Sequence, residues 1–221
     1  MGGVDGVKRL GLCGGTFDPP HLGHLWLAEA AREQLQLDAV LFLPAGAPPH
    51  KQDCRVTAVT HRLTMLQQAI ADNPAFHLDL TDVERPQPHT TVTLLPLLQQ
   101  KYPQAQLWWL IGSDSLRDLP TWHNPQQLIQ QCRLGVLPRP GVTIDWESLS
   151  TAVPGIETAV DWLHGPQVYL SSTDIRRCAQ AGHSLRYLVP TAVADYMQAH
   201  DLYQNGNQLS VIGRSHATDH R

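Results

Sequence analysis

Short runs of apolar residues alternate along this chain with segments in which apolar residues recur at helical spacing. Continuous apolar runs predict strands that are covered on both faces. The runs lie at residues 10–13, 40–44, 76–80, 107–111, 134–137 and 167–170. The helical spacing is found at residues 25–31, 57–71, 91–100 and 126–131. Strands that alternate with helices predict an α/β fold with a Rossmann-like, doubly wound and mostly parallel sheet.

The last part of the chain changes this pattern. After Gly182 the periodicity is helical only, and Pro190 stands where the first turn of an amphipathic helix is expected. We therefore predict one domain over residues 8–203, with a short C-terminal helical region at about residues 172–203. Residues 204–221 have no sustained apolar periodicity and are predicted to form a flexible tail.

Composition and charge narrow the class of protein. The 221 residues are 42% hydrophobic and 16% charged, which suits one substantial α/β core. The net charge is −4 and no Lys/Arg-rich run stands out, so no nucleic-acid partner is expected. No apolar run approaches the roughly 20 residues of a membrane span, and the N-terminus does not look like a signal peptide.

The cysteines carry no metal-binding pattern. The four of them are widely scattered, without C-x-x-C spacing, and stand at Cys13, Cys54, Cys132 and Cys178. Reduced thiols in the cytoplasm are the simplest interpretation. No carboxylate cluster of the usual metal-site kind is visible either, so no protein metal ligand is predicted. The oligomeric state stays open.

The most informative string is Gly-Gly-Thr-Phe-Asp-Pro-Pro-His-Leu-Gly-His at residues 14–24. It follows the first strand and precedes a helix, an arrangement that turns backbone N–H groups and a helix N-terminus toward phosphate. Gly14 and Gly15 let the backbone approach a ligand closely, although the glycines alone also suit a tight turn. His21 and His24 are three residues apart, so they share a helix face and can reach one phosphate together.

A second string, Leu-Ser-Ser-Thr-Asp-Ile-Arg-Arg at residues 170–177, predicts another helix start. Ser171 and Asp174 have the spacing of a capping box, and the apolar stripe behind them begins at Ile175. Hydroxyl groups, N–H groups and Arg176 at one helix start would form a second anion site. An ordinary helix cap is the alternative interpretation.

Both strings resemble signatures of one nucleotidyltransferase superfamily. Residues 14–24 are similar to its G-x-F-D-P-x-H-x-G-H element, and residues 170–177 to I-S-S-T-x-I-R, with Leu170 in place of Ile. From Lys8 to about Tyr203 the chain resembles the bacterial nicotinate mononucleotide adenylyltransferases. Further matches are the P-x-x-x-P-P-H-K loop at residues 44–51, I-I-G-x-D-S at 110–115, the tryptophan after Pro120 and R-P-G at 139–141.

The resemblance implies transfer of an adenylyl group from ATP to nicotinate mononucleotide, giving deamido-NAD and pyrophosphate, with Mg²⁺ carried on the ATP phosphates. It makes His21, His24 and Arg176 catalytic. The implied ATP-binding residues are Gly14, Gly15, Thr16, Phe17, His21, Gly23, His24, Gly112, Asp114, Ser171, Ser172, Thr173 and Arg176. The implied nicotinate mononucleotide-binding residues are Thr16, His50, Lys51, Thr91, Trp122, His123 and Arg139.

Several of these residues have simpler interpretations. His50 and Lys51 could be a solvated basic tip, Asp114 part of a helix cap, and Trp122 a loop anchor that packs on the core. Trp108 and Trp109 lie within a strand and are expected in the core rather than at a ligand.

The chain departs from the family at one place. Where the family has R-x-x-P-S-Y-T, this chain has Arg-Pro-Gln-Pro-His-Thr-Thr at residues 85–91. This change leaves the details of that pocket open. The rival interpretations are a transferase of the same superfamily that uses phosphopantetheine or a flavin nucleotide, and a non-catalytic nucleotide sensor. A tRNA-binding relative is disfavoured by length and acidity.

Overall fold

The computed structural model describes residues 6–46 and 56–204, and everything below concerns these two ranges. The strands are β1 (Arg9–Gly15), β2 (Ala39–Pro44), β3 (Phe76–Leu78), β4 (Gln106–Gly112), β5 (Arg133–Leu137) and β6 (Val160–Trp162). The helices are α1 (Leu22–Gln34), α2 (Val59–Ala69), α3 (Thr81–Glu84), α4 (Thr91–Lys101), α5 (Ser113–Arg117), α6 (Pro125–Gln131), α7 (Trp146–Ala152), α8 (Ile156–Ala159), α9 (Ser172–Gln180) and α10 (Thr191–Ala199).

The six described strands form one sheet in the order β3-β2-β1-β4-β5-β6, and every pairing is parallel. The chain winds outward from β1 through β2 to β3, then returns to the other side of β1 at β4. The strand order thus reverses between β1 and β4, and open α/β sheets bind ligands beyond the carboxyl ends of the strands at such a point. The predicted doubly wound parallel sheet is confirmed.

Neighbouring strand residues point into two separate cores, which explains why the strands are apolar throughout. Leu41 and Trp109 face a core closed by α4 and α6, where Leu95 and Leu128 are fully buried. The residues next to them in the strands, Phe42 and Trp108, face a core closed by α1, α2 and α10. A sheet with helices on both faces leaves no polar face for its strands.

One predicted strand is wrong. Residues 167–170 form no strand, and Tyr169 within them is exposed. Gly165, with φ of +143°, interrupts the chain before them, and the next residue, Pro166, accepts a 3.0 Å hydrogen bond from the indole N–H of Trp26. The sixth strand is instead β6, three residues with a polar centre that periodicity could not detect.

The other boundaries shift by a few residues or less, and α3, α5, α7 and α8 were not predicted. Among the described residues, no helix combines the length and the apolar character that crossing a lipid bilayer requires.

Candidate active site

The loop after β1 brings the predicted glycines and histidines to the carboxyl edge of the sheet. Gly14 has to be glycine because a Cβ there would overlap the indole ring of Trp109. Phe17 has a positive φ of +51°, and its ring is buried against Phe42 and, at a centroid distance of 5.0 Å, against His24. The side chain of Phe17 is therefore part of the core and supports His24, which leaves its backbone for any ligand.

His21 and His24 lie together as predicted. Their rings are stacked with centroids 3.6 Å apart, and the backbone N–H of His21 donates to Nδ1 of His24 over 3.2 Å. Because this Nδ1 accepts, the proton of a neutral His24 is on Nε2, which is then a donor. Gly23 lies in the same turn, where a Cβ would come within 3.1 Å of the His21 ring.

His21 is almost fully buried, and its Nδ1 has no hydrogen-bond partner among the described residues. Burial, with a smaller contribution from the positive charge of Arg139, lowers the pKa of His21 from 6.5 to about 4. At neutral pH His21 is therefore uncharged, and it can serve a phosphate as a hydrogen-bond donor without adding a cation.

The second string docks directly onto the first. Ser172 Oγ donates to the carbonyl of Pro19 (2.9 Å), and Arg176 donates to the carbonyl of Asp18 (2.7 Å) and to the Thr173 hydroxyl (3.2 Å). Ser171 is the N-cap of α9, accepting from the N–H of Asp174 over 3.1 Å. The predicted cap is confirmed, and the anion-binding role stays a prediction. Residues 14–24 and 171–176 together are called the two-histidine region below.

The carboxyl ends of β4 and β5 bring a further ion pair to this edge. Nε of Arg139 lies 3.2 Å from Oδ1 of Asp114, and the N–H of Arg139 donates to Ser113 Oγ over 2.9 Å. A Cβ on Gly112 would lie 2.5 Å from both Nε of Arg139 and Oδ1 of Asp114, so this pair needs glycine beneath it. Asp114 and Arg139 were predicted to contact different substrates, yet here they contact each other.

A pocket of about 660 Å³ opens beside the loop after β1, and it is called the α4 pocket below. Its wall includes the predicted residues Thr16, Thr91, Trp122 and His123. Arg139 is not among the lining residues, and His50 and Lys51 lie outside the described residues. The rest of the wall is formed by Gly14, Gly15, Leu43, Ala45, Asp82, His89, Thr90, Leu94, Trp109, Thr121 and Asn124.

Two interpretations of tryptophans change. Trp109 belongs to the core, as predicted, but it also lines the α4 pocket. Trp122 packs partly on the same core and lines the pocket as well, so the loop-anchor and ligand interpretations are compatible. A tryptophan at this edge of the sheet can both pack in the core and line the pocket, because the core extends up to the carboxyl ends of the strands.

Arg62, which no sequence pattern singled out, holds three loops of the site together. It is fully buried in α2 and donates to the carbonyls of Thr57 (3.1 Å), Thr16 (2.8 Å) and Ala45 (3.0 Å). Burial lowers the pKa of Arg62, and the nearby Asp18 opposes this effect. A single arginine in an amphipathic helix looks like a surface residue, so only the fold reveals this contact.

Tyr203 is the other unpredicted contact. It is buried, and its hydroxyl donates to Oδ1 of Asp18, whose Oδ2 accepts from the N–H of Thr57 (3.3 Å). Burial and the Asp18 carboxylate raise the pKa of Tyr203, so this hydroxyl stays a donor. The last residues of the described chain thereby hold the first motif in place.

Comparison with known proteins finds one family over most of this chain. The family model described as cytidylyltransferase-like matches residues 12–178. The chain is 46% identical over 198 residues to a probable nicotinate-nucleotide adenylyltransferase of Thermomicrobium roseum, which covers 90% of this chain and 92% of the relative. A probable nicotinate-nucleotide adenylyltransferase of Exiguobacterium sibiricum is 43% identical, with coverage of 88% and 98%.

Solved structures show the same fold at low sequence identity. The nicotinic acid mononucleotide adenylyltransferase of Plasmodium falciparum, solved with NaAD, superposes with a TM-score of 0.73 at 19% identity. The alignment covers 89% of this chain and 97% of that one. A putative nicotinate-nucleotide adenylyltransferase of Vibrio parahaemolyticus superposes with a TM-score of 0.64 at 18% identity, over 89% and 95% of the two chains.

Proposed function

We propose that this chain, which belongs to the nicotinate-nucleotide adenylyltransferase family, transfers the adenylyl group of ATP to nicotinate mononucleotide. The products are deamido-NAD and pyrophosphate, which makes the chain an enzyme of NAD biosynthesis. One observation carries the proposal. The two histidines of the first motif and a pocket lined by Thr16, Thr91 and Trp122 lie at the same edge of the sheet.

The reaction needs alignment and charge stabilisation rather than a strong base. A phosphate oxygen of nicotinate mononucleotide attacks the α-phosphorus of ATP, and a P–O bond forms. The bond from the α-phosphorus to the bridging oxygen breaks, and pyrophosphate leaves with the electron pair. The attacking oxygen is already ionised at neutral pH, so donors that hold the transferring and leaving phosphates supply the catalysis.

The two-histidine region supplies such donors. We assign the α- and β-phosphates to His21, His24 and the backbone N–H groups of Gly15 and Thr16. The departing pyrophosphate is assigned to Ser172, Thr173 and Arg176. The stacked histidines and the docking of Arg176 onto the carbonyl of Asp18 support this arrangement.

Magnesium is expected to arrive on the ATP phosphates, where it neutralises charge on the leaving group. Among the described residues, no group of three or more His, Cys, Asp or Glu side chains could hold a metal ion. The carboxylates at this edge already have partners: Asp18 binds Tyr203, Asp114 pairs with Arg139, Asp82 with Arg85 and Asp174 with Arg177. This donor set suits a metal held by the substrate.

The α4 pocket is assigned to the mononucleotide. Trp122 and Trp109 offer flat apolar faces for a pyridine ring. Thr91 stands at the first position of α4, where N–H groups and the helix dipole favour the carboxylate of the ring. Cytoplasmic location is proposed as well, since Cys13, Cys132 and Cys178 are free thiols. We expect no nucleic-acid partner.

The direct test incubates the purified protein with ATP, Mg²⁺ and either nicotinate mononucleotide, phosphopantetheine or a flavin mononucleotide. Pyrophosphate and the dinucleotide product are measured together. We expect both to form with nicotinate mononucleotide in a 1:1 ratio. Pyrophosphate formation with only one of the other acceptors would reject the assigned substrate, and no release with any acceptor would favour a nucleotide sensor.

A further inference from the structure

His89 stands in the wall of the α4 pocket at the point where the sequence departs from the family. Its side chain is about nine-tenths buried, and its Nδ1 has no hydrogen-bond partner among the described residues. Oδ1 of Asp82 lies 3.6 Å from this Nδ1, too far for a good hydrogen bond. A buried polar atom without a partner, in the wall of a pocket, points to a bond that forms with a ligand.

The charged side chains around His89, Asp82 and Arg85, bind each other. Nε of Arg85 donates to Oδ1 of Asp82 over 2.7 Å, and the N–H of Gly46 donates to Oδ2 over 3.3 Å. Arg85 also donates to the carbonyls of Pro88 and Thr90, both over 3.0 Å. Arg85 cannot turn toward a ligand without breaking these bonds, so its role is to shape the loop.

The space around His89 fixes its ring. A Cβ on Gly46 would lie 2.8 Å from Cε1 and 3.2 Å from Nδ1 of His89, so this edge of the ring packs closely against the Gly46 backbone. Asp82 and Arg85 are the charged groups that face it, and the neighbouring α4 contributes only its N-terminus, at Thr91. The Asp82 carboxylate near Nδ1 favours the tautomer of His89 with its N–H at that nitrogen, and the helix N-terminus favours an anion in the pocket.

We propose that His89 is a substrate-contacting, specificity-determining residue. Through the N–H of its imidazole, it donates a hydrogen bond to the carboxylate on the pyridine ring of the mononucleotide. The inference rests on the proposed function and names the side chain that separates the acid from its amide analogue. A carboxamide lacks the charge that strengthens this bond. The preference for the acid should therefore fall when this donor is removed.

The test compares kcat/KM for nicotinate mononucleotide and nicotinamide mononucleotide. In His89→Leu, which removes the N–H donor, we expect the acid-to-amide ratio to fall about 10- to 100-fold, the loss of one charge-assisted hydrogen bond. The change should appear in KM for the acid, with KM for ATP unchanged. His183→Leu, at an exposed histidine between α9 and α10, is the matched control and should behave as wild type.

Two results would overturn the inference: an unchanged ratio in His89→Leu, or an equal loss for both mononucleotides. Thermal melting separates misfolding from these outcomes, and His89→Ala serves if the leucine variant does not fold. If the wild-type enzyme transfers no adenylyl group, the proposed function fails. The affinities of the wild type and the variant for the two mononucleotides, measured by calorimetry, then test the role of His89 by the same acid-to-amide ratio.

Discussion

The two-histidine region and the α4 pocket share one edge of the sheet, yet they are built from different kinds of contact. In the two-histidine region, side chains hold backbone carbonyls: Arg176 holds Asp18, and Arg62 holds Thr16. Around the α4 pocket, contacts between side chains are added to contacts with the backbone, since Arg85 holds the side chains of Asp82 and Thr93 as well as the carbonyls of Pro88 and Thr90. Contacts to the backbone fix the path of a loop, whereas contacts between side chains depend on the residue at each position.

This difference predicts where substitutions act. Changes in the two-histidine region should alter the rate or the stability, because they disturb a backbone that we assign to phosphate binding. Changes in the α4 pocket should alter the choice of substrate, because we assign its individual side chains to the ring. The family departure at His89 and Thr90 lies in the second region, where we expect a change of preference rather than loss of the reaction.

The largest effect is expected for His24→Ala. The side chain is assigned to the transferring phosphate, and the loss of one preorganised donor typically costs about 10²–10³ in kcat, or roughly 3–4 kcal/mol. The protein should remain folded, since His24 is only partly buried. Steady-state kinetics test this, with the exposed His183→Ala as control. Activity within a few-fold of wild type would mean that the region binds phosphate without accelerating transfer.

Arg62→Met should have the largest effect on stability. It leaves three backbone carbonyls without their donor, at about 1–3 kcal/mol for each buried group. We expect the free energy of unfolding to fall by at least about 3 kcal/mol, measured by urea denaturation, and turnover to slow. Arg117→Met, at an exposed arginine paired with Asp118, should stay within about 0.5 kcal/mol. Equal effects of the two variants would contradict the role of Arg62.

His21 makes stability depend on pH in a defined window. Its pKa is about 4 in the folded protein against 6.5 as the ordinary value, so the unfolded chain binds the proton first as pH falls. The stabilisation is complete above pH 6.5 and is lost as the pH falls through 4, up to about 3 kcal/mol. In His21→Asn, unfolding measured against pH should show a shallower fall over this window. An identical fall would assign the acid sensitivity to other groups.

The smallest effect is expected for Thr91→Val, which tests the other region. Losing one hydroxyl donor beside the ring carboxylate should narrow the preference for nicotinate over nicotinamide mononucleotide by about tenfold. Trp122→Ala should instead weaken both substrates equally, because an indole face holds either ring. The ratio of kcat/KM for nicotinate and nicotinamide mononucleotide, measured in each variant, tests both expectations. A changed ratio in Trp122→Ala would mean that the indole also positions the carboxylate.

Most of the secondary structure could be predicted from the sequence because it depends on residues that are neighbours in the chain. Apolar runs predicted five of the six described strands, and the spacing of His21 and His24 predicted that they share one face of a helix. The same approach gave a wrong strand at residues 167–170 and missed β6. A strand of only three residues, such as β6, is too short to show periodicity. The apolar side chains after Gly165 follow a backbone path set by the hydrogen bond between Trp26 and the carbonyl of Pro166.

The tertiary structure decided which distant residues meet. Arg62, Asp18 and Tyr203 are separated by up to 185 positions in the chain, yet they hold one loop. Asp114 and Arg139, predicted to contact different substrates, form an ion pair above Gly112 for the same reason. The sequence by itself determined most of the strands and longer helices and the two strings that we assign to phosphate, because backbone preferences and side-chain periodicity act over a few residues. Only the fold decided the partners of buried charges, because burial brings together groups that no local pattern connects.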